Sequence, residues 1–559
     1  MPHISSKYAP VIPAAVQTGK LEKATVLIVG AGPIGLATAL ELGLRGHNVT
    51  LLDRSTQVSD GSRAICFAKR SLEIMDRLGY AQPMLDKGLS WNIGRVFFKD
   101  NPVPVYSFDL LPLKDQKLPG MINIQQYYNE EFCIAELVKL KNVEIRWGNE
   151  VADLINSAKG VTAQVLTLEG GYEIEADWVI ACDGSKSLVR EKLAVGFEGE
   201  TFQDNFLIAD LKFKQERPVE RHFWFDPSFN PGKSALLHKQ PDDVWRVDLQ
   251  VGWDIDREEI ARHENVTPYI KAMFGDDIEF EYEWVSVYTF NCRQVKNMVV
   301  DRVIFAGDSA HLVSPFGARG ANTGFQDTDN IGWKMDLVLR GLADIPLIES
   351  YDEERSYAAK VNILNSTRST DFITPKSTIS KTFRDAVLEL SHKYEFARGF
   401  VNSGRLSLPV AYHNSRLNTL DRENWAGGVA PGANSIDAPI SLGTVEGWFI
   451  DQVGSAFKVI LFCDGNKLSS KYRSQLKEFC ENEIPSEVFL VSDFEVDPDF
   501  KVINDCKGLL AKRLDAQIGT AYLFRPDQYV AGRWKKATAS DLFAARDRAL
   551  AKKVGRNVN

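Results

Sequence analysis

Apolar positions along this chain fall into two rhythms, and each predicts a different kind of element. Near the start, Val26 to Val29 is a continuous apolar run. An Ala/Leu/Gly-rich segment of helical length, Leu36 to Leu44, separates it from a second run, Val49 to Leu52. Unbroken runs this short on either side of a helical stretch predict a βαβ unit with buried strands. Trp178 to Ala181 and Val303 to Ala306 have the same character, and each is closed by a Gly/Asp pair. They are expected as further buried strands of one sheet, reached after long excursions.

The second rhythm is strict alternation. Residues 200–292 contain Arg221-His222-Phe223-Trp224-Phe225 and Trp245-Arg246-Val247-Asp248-Leu249, which predict a half-exposed sheet forming its own domain. Residues 320–400 look mainly helical. From Ser403 to Pro439, Pro, Gly and Ser accumulate, including Gly427-Gly428 and Pro431-Gly432, and a linker is expected. Lys458 to Phe462, Val488 to Val491 and Ala521 to Phe524 read as strands of a smaller domain. The predicted organisation is a loosely ordered arm (1–23), a main domain (24–199 and 293–402, with the helical segment) interrupted by the sheet domain (200–292), the linker (403–439), a third domain (440–535) and a helical tail (536–559).

Composition narrows the function classes. A chain of 559 residues exceeds one ordinary core and predicts about three domains at ~100–200 residues each. The net charge of −9 comes from 75 acidic and 66 basic residues spread along the length, which argues against nucleic acid as a partner. Seven scattered cysteines, none in a C-x-x-C pair, argue against zinc and a disulfide framework. They are expected as reduced thiols of a cytoplasmic protein. No secretory leader is expected, since the first twenty or so residues hold no continuous apolar run behind a basic start, and no membrane span is expected, since no apolar stretch reaches about eighteen residues.

Gly30-Ala31-Gly32-Pro33-Ile34-Gly35 lies between the first strand and the helix. Glycines there permit a tight turn and close backbone approach to a pyrophosphate at the helix N-terminus. Asp53 ends the second strand about twenty residues on, where a carboxylate can accept ribose hydroxyls. The unit predicts a dinucleotide without choosing FAD or NAD. Two more constellations follow the later strands: Asp183-Gly184-Ser185-Lys186-Ser187-Leu188-Val189-Arg190 and Gly307-Asp308-Ser309-Ala310-His311, the latter continuing through Pro315, Gly317, Gly320 and Asn322. A carboxylate at Asp308 can accept a ribityl hydroxyl. A helix opening after the glycine-rich stretch would aim its positive end at a reduced flavin ring.

With these three motifs in this order over about three hundred residues, the sequence closely resembles the group A flavoprotein aromatic hydroxylases. That family includes para-hydroxybenzoate, phenol and 3-(3-hydroxyphenyl)propionate hydroxylases. The D-G-x-x-S-x-x-R motif is matched by Asp183, Gly184, Ser187 and Arg190. The G-D-A-A-H-x-x-x-P-x-x-G-x-G-x-N motif is matched by Gly307, Asp308, His311, Pro315, Gly317, Gly320 and Asn322, with Ser309 and Arg319 as departures.

The resemblance implies an α/β fold: a Rossmann-type FAD-binding domain with an inserted β-sheet substrate domain. It implies FAD contacts from Gly30, Gly32, Pro33, Gly35, Asp53, Arg54, Arg63, Gln126, Asp183, Arg190, Gly307, Asp308, Pro315, Gly317, Gly320, Ala321 and Asn322. The adjacent Gln125 leaves the register of Gln126 open. The family reaction reduces FAD with NADH or NADPH, adds O2 to form a C4a-hydroperoxide, and transfers its distal oxygen to an electron-rich ring. A small phenolic substrate is therefore expected, and no metal. With one complete fingerprint, nicotinamide is expected at a transient site.

Aromatic walls are expected from His222, Phe223, Trp224, Phe225, Trp245 and Tyr288, of which alternation lets about half face one side. His222 and His238 are the candidate base or phenol-oxygen partners, because imidazole titrates in the useful range, and Pro315 would border the substrate. His311 is expected to be structural. Residues 440–535 resemble the thioredoxin-like domain of phenol hydroxylase through Arg525-Pro526-Asp527-Gln528-Tyr529-Val530. Cys463 has no partner at C-x-x-C spacing, so a redox role is not expected and stability or homodimer contacts are. Two rival readings stay open. One is an epoxidase or halogenase on the same scaffold, although a W-x-W-x-I-P segment is missing. The other is a flavin protein that sequesters an aromatic ligand.

Overall fold

In the computed structural model the described residues are 5–552, apart from 62, 214–217, 402–406, 465–467 and 494–498. The chain divides into two units, Met1–Pro112 with Pro119–Gln326 and Ala359–Leu408, and Leu113–Leu118 with Asp327–Ala358 and Pro409–Asn559.

The buried runs of the first unit assemble as their pattern predicts. Glu22–Val29 lies between Gly170–Ala181 and Val49–Asp53, with Val303–Phe305 beyond the first and Val143–Trp147 beyond the second, all parallel. Val26, Leu27 and Ile28 are fully buried, as strands covered on both faces require. Glu150–Ser157 and Gly160–Thr167 extend Gly170–Ala181 as an antiparallel meander. The expected arm is not loose over its described part: Tyr8 stacks on Trp147 at 4.6 Å, and Val11 N–H donates to the Trp147 carbonyl at 2.9 Å.

The alternating segments form a second sheet of eight strands. Its order is His311–Leu312, Glu281–Val295, Phe197–Lys212, Val244–Gly252, Ser234–Lys239, Arg221–Phe225, Ile93–Phe98 and Tyr106–Asp109. The last two lie far upstream of residue 200. Ile93–Phe98 joins by parallel pairing with Arg221–Phe225, a contact that no local pattern announces. One face carries Leu207, Ala209, Leu237, Trp245, Val247 and Leu249 and packs on the helix His263–Phe274 through Val266 and Ile270. The other carries Phe206, Phe223, Phe225, Leu236 and Phe290 and packs with Phe316, Ile373 and Leu388. A small sheet of Cys66–Ala68, Met121–Asn123 and Leu89–Trp91 completes the unit.

The second unit is built on five strands ordered Lys501–Ile503, Ser486–Val491, Phe457–Phe462, Ala521–Phe524 and Val530–Trp534, the first three parallel and the last two antiparallel. Both faces are apolar. The stretch read as a linker has almost no regular structure before Pro439–Leu442, yet from residue 409 it is packed into this unit. Tyr412, Leu417, Asn418, Asp437 and Ala438 are all buried, and a Cβ on Gly432 would lie 2.5 Å from the Tyr412 carbonyl oxygen. Residues 402–406 of that stretch lie outside the described residues. The tail begins as the helix Ala539–Ala549 behind a Thr538/Asp541 capping box. No helix among the described residues is long and apolar enough to cross a membrane.

Candidate functional site

The glycines of the first motif divide by role. Gly30 has φ of 102°, and a Cβ there would stand 2.5 Å from the Cys182 carbonyl oxygen; one on Gly35 would overlap the Gly30 carbonyl oxygen. These two let strand, turn and helix close on one another. A Cβ on Gly32 meets nothing within 4 Å, so this N-cap of the helix Pro33–Leu44, with Pro33 in its first turn, faces open space. A carboxylate closes the turn. Asp53 accepts from Ala31 N–H at 2.6 Å and Ser55 N–H at 2.7 Å. Burial raises its pKa, and those two amides oppose the rise. Arg54 beside it is exposed.

Arg63 is exposed on a loop that a buried carboxylate holds. Glu130 accepts from Ser59 N–H at 2.7 Å, Ser59 Oγ at 2.6 Å and Gln126 Nε2 at 2.9 Å, while Gln126 Oε1 accepts from Ala64 N–H at 3.1 Å. Gln125, the N-cap of the helix Gln126–Leu137, instead donates to the Pro241 carbonyl at 3.3 Å. Gln126 is thus the residue that supports the Arg63 loop. Glu130 belongs to none of the three motifs; its spacing four residues after Gln126 is the signal for it in the sequence.

The second and third motifs are tied together by Arg190. Its Nη1 donates to the Ser309 carbonyl at 3.0 Å and its Nη2 to the Ser185 carbonyl at 2.7 Å, while Ser187 caps the short helix Leu188–Lys192. Asp183 accepts from Val189 N–H through Oδ2 at 3.1 Å; its Oδ1 is buried with no protein partner, and burial raises the pKa. Ser309 Oγ donates to the Ala181 carbonyl at 2.6 Å, holding the turn Gly307–Ser309 on the strand while Asp308 stays exposed. A Cβ on Gly307 would sit 3.0 Å from Ile34 Cγ1, and one on Gly324 would sit 2.6 Å from Ile34 Cδ1. The third motif therefore packs directly on the first.

Pro315 is exposed, Gly317 has φ of 103°, and Gly320, Ala321 and Asn322 open the helix Gly320–Leu339. Asn322 stitches this start to the small sheet. Its Oδ1 accepts from Ala68 N–H at 2.8 Å and Ser71 Oγ at 2.6 Å; its Nδ2 donates to the carbonyls of Cys66 at 2.8 Å and Ala318 at 2.6 Å. His311 is buried in the two-residue strand paired with Arg293 and Gln294.

The sheet alternation separates the aromatic candidates. Phe223, Phe225 and Tyr288 lie on the face that packs with Phe316; His222, Trp224 and Trp245 lie on the other. His222 there touches Glu220 at 3.2 Å and sits edge-on to Phe97 and Trp224. His238 lies on the Phe223 side, paired across strands with Arg246. Burial, then Arg221 and Arg246, hold its pKa well below the usual histidine value, so the imidazole is neutral at pH 7. Its Nε2 is 4.0 Å from Asp248, whose carboxyl is pushed up to about 6, chiefly by burial. The Tyr288 phenol is pushed up to about 12 by burial and by Asp308, with Arg63 opposing, which places it in the field of two motif residues.

An orphaned buried carboxylate oxygen at Asp183 and an unobstructed helix N-cap at Gly32 suit a dinucleotide with hydroxyl donors and a pyrophosphate. Comparison with known proteins agrees. The FAD binding domain family matches residues 23–366. The chain is 30% identical over 408 residues to a 12-dehydrotetracycline 5-monooxygenase/anhydrotetracycline 6-monooxygenase of Streptomyces rimosus, covering 69% of this chain and 77% of that one. It is 29% identical over 387 residues to a 3-(3-hydroxy-phenyl)propionate/3-hydroxycinnamic acid hydroxylase of Paraburkholderia xenovorans, covering 67% and 59%. Among solved structures, the flavin-dependent monooxygenase PieE with FAD and substrate aligns with TM-score 0.79 at 20% identity over 97% of this chain and 100% of that one. Aklavinone-11 hydroxylase with FAD and aklavinone aligns with TM-score 0.77 at 20% identity over 95% and 100%.

Proposed function

The chain belongs to the FAD-binding family of flavoprotein aromatic monooxygenases, and from that premise we propose that it hydroxylates a small phenolic ring with NADH or NADPH and O2. The observation that carries this reading is the convergence of three turns at the ends of adjacent parallel strands. Arg190 joins the second to the third and Ile34 packs the first on the third, beside a sheet face of Phe223, Phe225 and Tyr288 that packs on Phe316. The bound flavin supplies electron transfer from nicotinamide and the activation of O2.

In this reading Gly30, Gly32, Pro33 and Gly35 cradle the pyrophosphate, and Asp53 and Arg54 flank the adenosine half. Asp183, Gly307 and Asp308 take the ribityl chain, while Pro315, Gly317, Gly320, Ala321 and Asn322 border the ring. Arg63 and Gln126 act from the neighbouring loop, Gln126 by positioning it. Of the two histidines, His238 lies on the sheet face that carries Phe223 and Leu236. Its depressed basicity suits a neutral hydrogen-bond partner for a phenol better than a proton acceptor. His222, on the opposite face beside Glu220, has a packing and ion-pair role.

The five-stranded sheet of the second unit, three parallel strands followed by two antiparallel ones, supports the thioredoxin-like reading. Burial lifts the lone Cys463 thiol to about 11, which suits a packing residue and not a nucleophile. We assign this unit to stability and to a homodimer contact.

The test is a panel of phenols, hydroxybenzoates and hydroxyphenylalkanoates screened for stimulated NAD(P)H oxidation, with products weighed for one oxygen taken from 18O2. Ring-hydroxylated product is expected. Well-folded protein that stays colourless and refuses added FAD overturns the reading, and an epoxide product redirects it.

A further inference from the structure

The stretch that the FAD binding domain family matches begins at residue 23, and ahead of it the chain lays an arm along the segment that follows Asp53 and Arg54. The pairing is an antiparallel bridge between Lys7 and Gln57. In it Tyr8 N–H donates to the Thr56 carbonyl at 2.7 Å, and Val58 N–H donates to the Ser6 carbonyl at 3.3 Å. Side chains extend the contact. Ser5 Oγ donates to the Ser59 carbonyl at 3.0 Å and Ser6 Oγ to Glu131 at 2.6 Å. The Tyr8 ring lies on Trp147 with the two planes 8° apart. Asn149 ties the arm to the motif carboxylate's own residue: its Nδ2 donates to the Val11 carbonyl at 2.8 Å and its N–H to the Asp53 carbonyl at 2.8 Å.

Other holds meet the same segment. Glu130 takes the N–H and Oγ of Ser59, and Gly148 N–H donates to the Ser55 carbonyl at 2.9 Å. Consecutive carboxylates of the helix Gln126–Leu137 therefore take separate partners, Glu130 the segment and Glu131 the arm laid along it. Within the segment, the only local bonds are the turn between Ser55 Oγ and Gln57, at 3.0 and 3.1 Å. A loop held by so little of its own would sample many conformers, and a ligand bound beside it would carry the cost of ordering it. Backbone pairing with the arm fixes the segment before any ligand arrives.

We propose that residues 5–11 are a strap that fixes Ser55–Ser59, and with it Asp53 and Arg54, so that the arm governs how long FAD stays bound. Tyr8 and Ser6 are positioning residues that act through this segment without touching the cofactor. The proposal rests on the placement of Asp53 and Arg54 beside the adenosine half, and on no particular substrate.

The test follows FAD release from the loaded full chain, as the rise of flavin fluorescence after dilution, beside melting of the flavin-free protein. Tyr8→Ala removes the stack on Trp147 and should speed release about 3- to 10-fold, the range of one aromatic stack. Its flavin-free melting temperature should stay near the parent's, since an arm that lifts away leaves the parallel sheet whole. Tyr8→Phe keeps the ring and should release FAD near the parent's rate. Ser6→Ala should speed release in the same direction as Y8A.

Release at the parent's rate from both Y8A and S6A overturns the strap. A lowered flavin-free melting temperature with release unchanged overturns it too and leaves the arm as packing. Should Y8A release faster and also melt lower, S6A decides on release alone, because it removes one hydrogen bond and no ring. Arg54→Ala separates the two premises. Faster release in R54A with none in Y8A keeps the adenosine-side placement and sinks the strap; the opposite pair of results keeps the strap and sinks that placement of Arg54.

Discussion

Gly30 and Gly32 stand two residues apart in one turn and answer to different constraints. Alanine at Gly30 combines a φ of 102° with a Cβ 2.5 Å from the Cys182 carbonyl oxygen, and the backbone must move. G30A should lose roughly 3 kcal/mol or more of stability, with the flavin lost as a consequence. G32A meets no protein atom within 4 Å, so its melting temperature without FAD should stay near the parent's while FAD affinity falls. Equal melting losses in the two variants would contradict this division.

Asp248 makes a pH prediction at the same scale. Its folded pKa, about 6, lies above the ordinary carboxyl value of 3.8, so the folded state holds the proton more tightly. The stabilisation is complete below pH 4 and lost as pH rises through 6. Asp248→Asn should therefore match the parent near pH 4 and exceed it above pH 6 by up to roughly 3 kcal/mol, read from melting curves across that range. The reverse slope would show that Arg221 and Arg246 outweigh burial there.

Elements were legible where a local rhythm declared them, and their partners were not. The four parallel runs near Val26, Val49, Trp178 and Val303 could be named from continuous apolarity and share one sheet. The pairing of Ile93–Phe98 with Arg221–Phe225 joins positions more than a hundred residues apart, and nothing local to either strand encodes it. For the same reason, motif spacing brought the Gly30, Asp183 and Gly307 turns to light, whereas Arg221 was visible only as one charge in an alternating strand. His222 and His238 looked equivalent in sequence because each strand's facing depends on its pairing register.

The start of Gly320–Leu339 gives an element-scale test. Asn322→Ala removes four hydrogen bonds to Ala68, Ser71, Cys66 and Ala318, leaving several of those groups unsatisfied in the interior. A loss of about 2–4 kcal/mol with weakened flavin retention is expected. Unchanged flavin content in a destabilised variant would confine Asn322 to packing.

At the scale of the molecule, the second unit hides a charged centre. Glu354 accepts from Arg525 at 2.6 and 3.0 Å, from Lys334 Nζ at 2.9 Å and from Ser415 Oγ at 2.6 Å; Arg525 also pairs with Asp527. Neighbouring Arg355 pairs with Asp327 at 2.6 Å and Tyr412 Oη at 2.6 Å. Removing one member of such a buried set typically costs about 3–5 kcal/mol, because its partner is left charged and dry. A fragment spanning only 409–552 lacks Lys334, Glu354 and Arg355, and circular dichroism should find it without cooperative melting. Tethering 327–358 to it should restore a transition.

That charged centre draws its members from segments separated in the chain, and the two long helices Gly320–Leu339 and Ile345–Ile373 each begin in one unit and end in the other. The polypeptide consequently has no single cut at which one half could be exchanged for a homologue's. A chimaera joined at any one point in 320–408 would divide a shared helix or strand a buried ion, so successful grafts should exchange the interleaved pieces as a set.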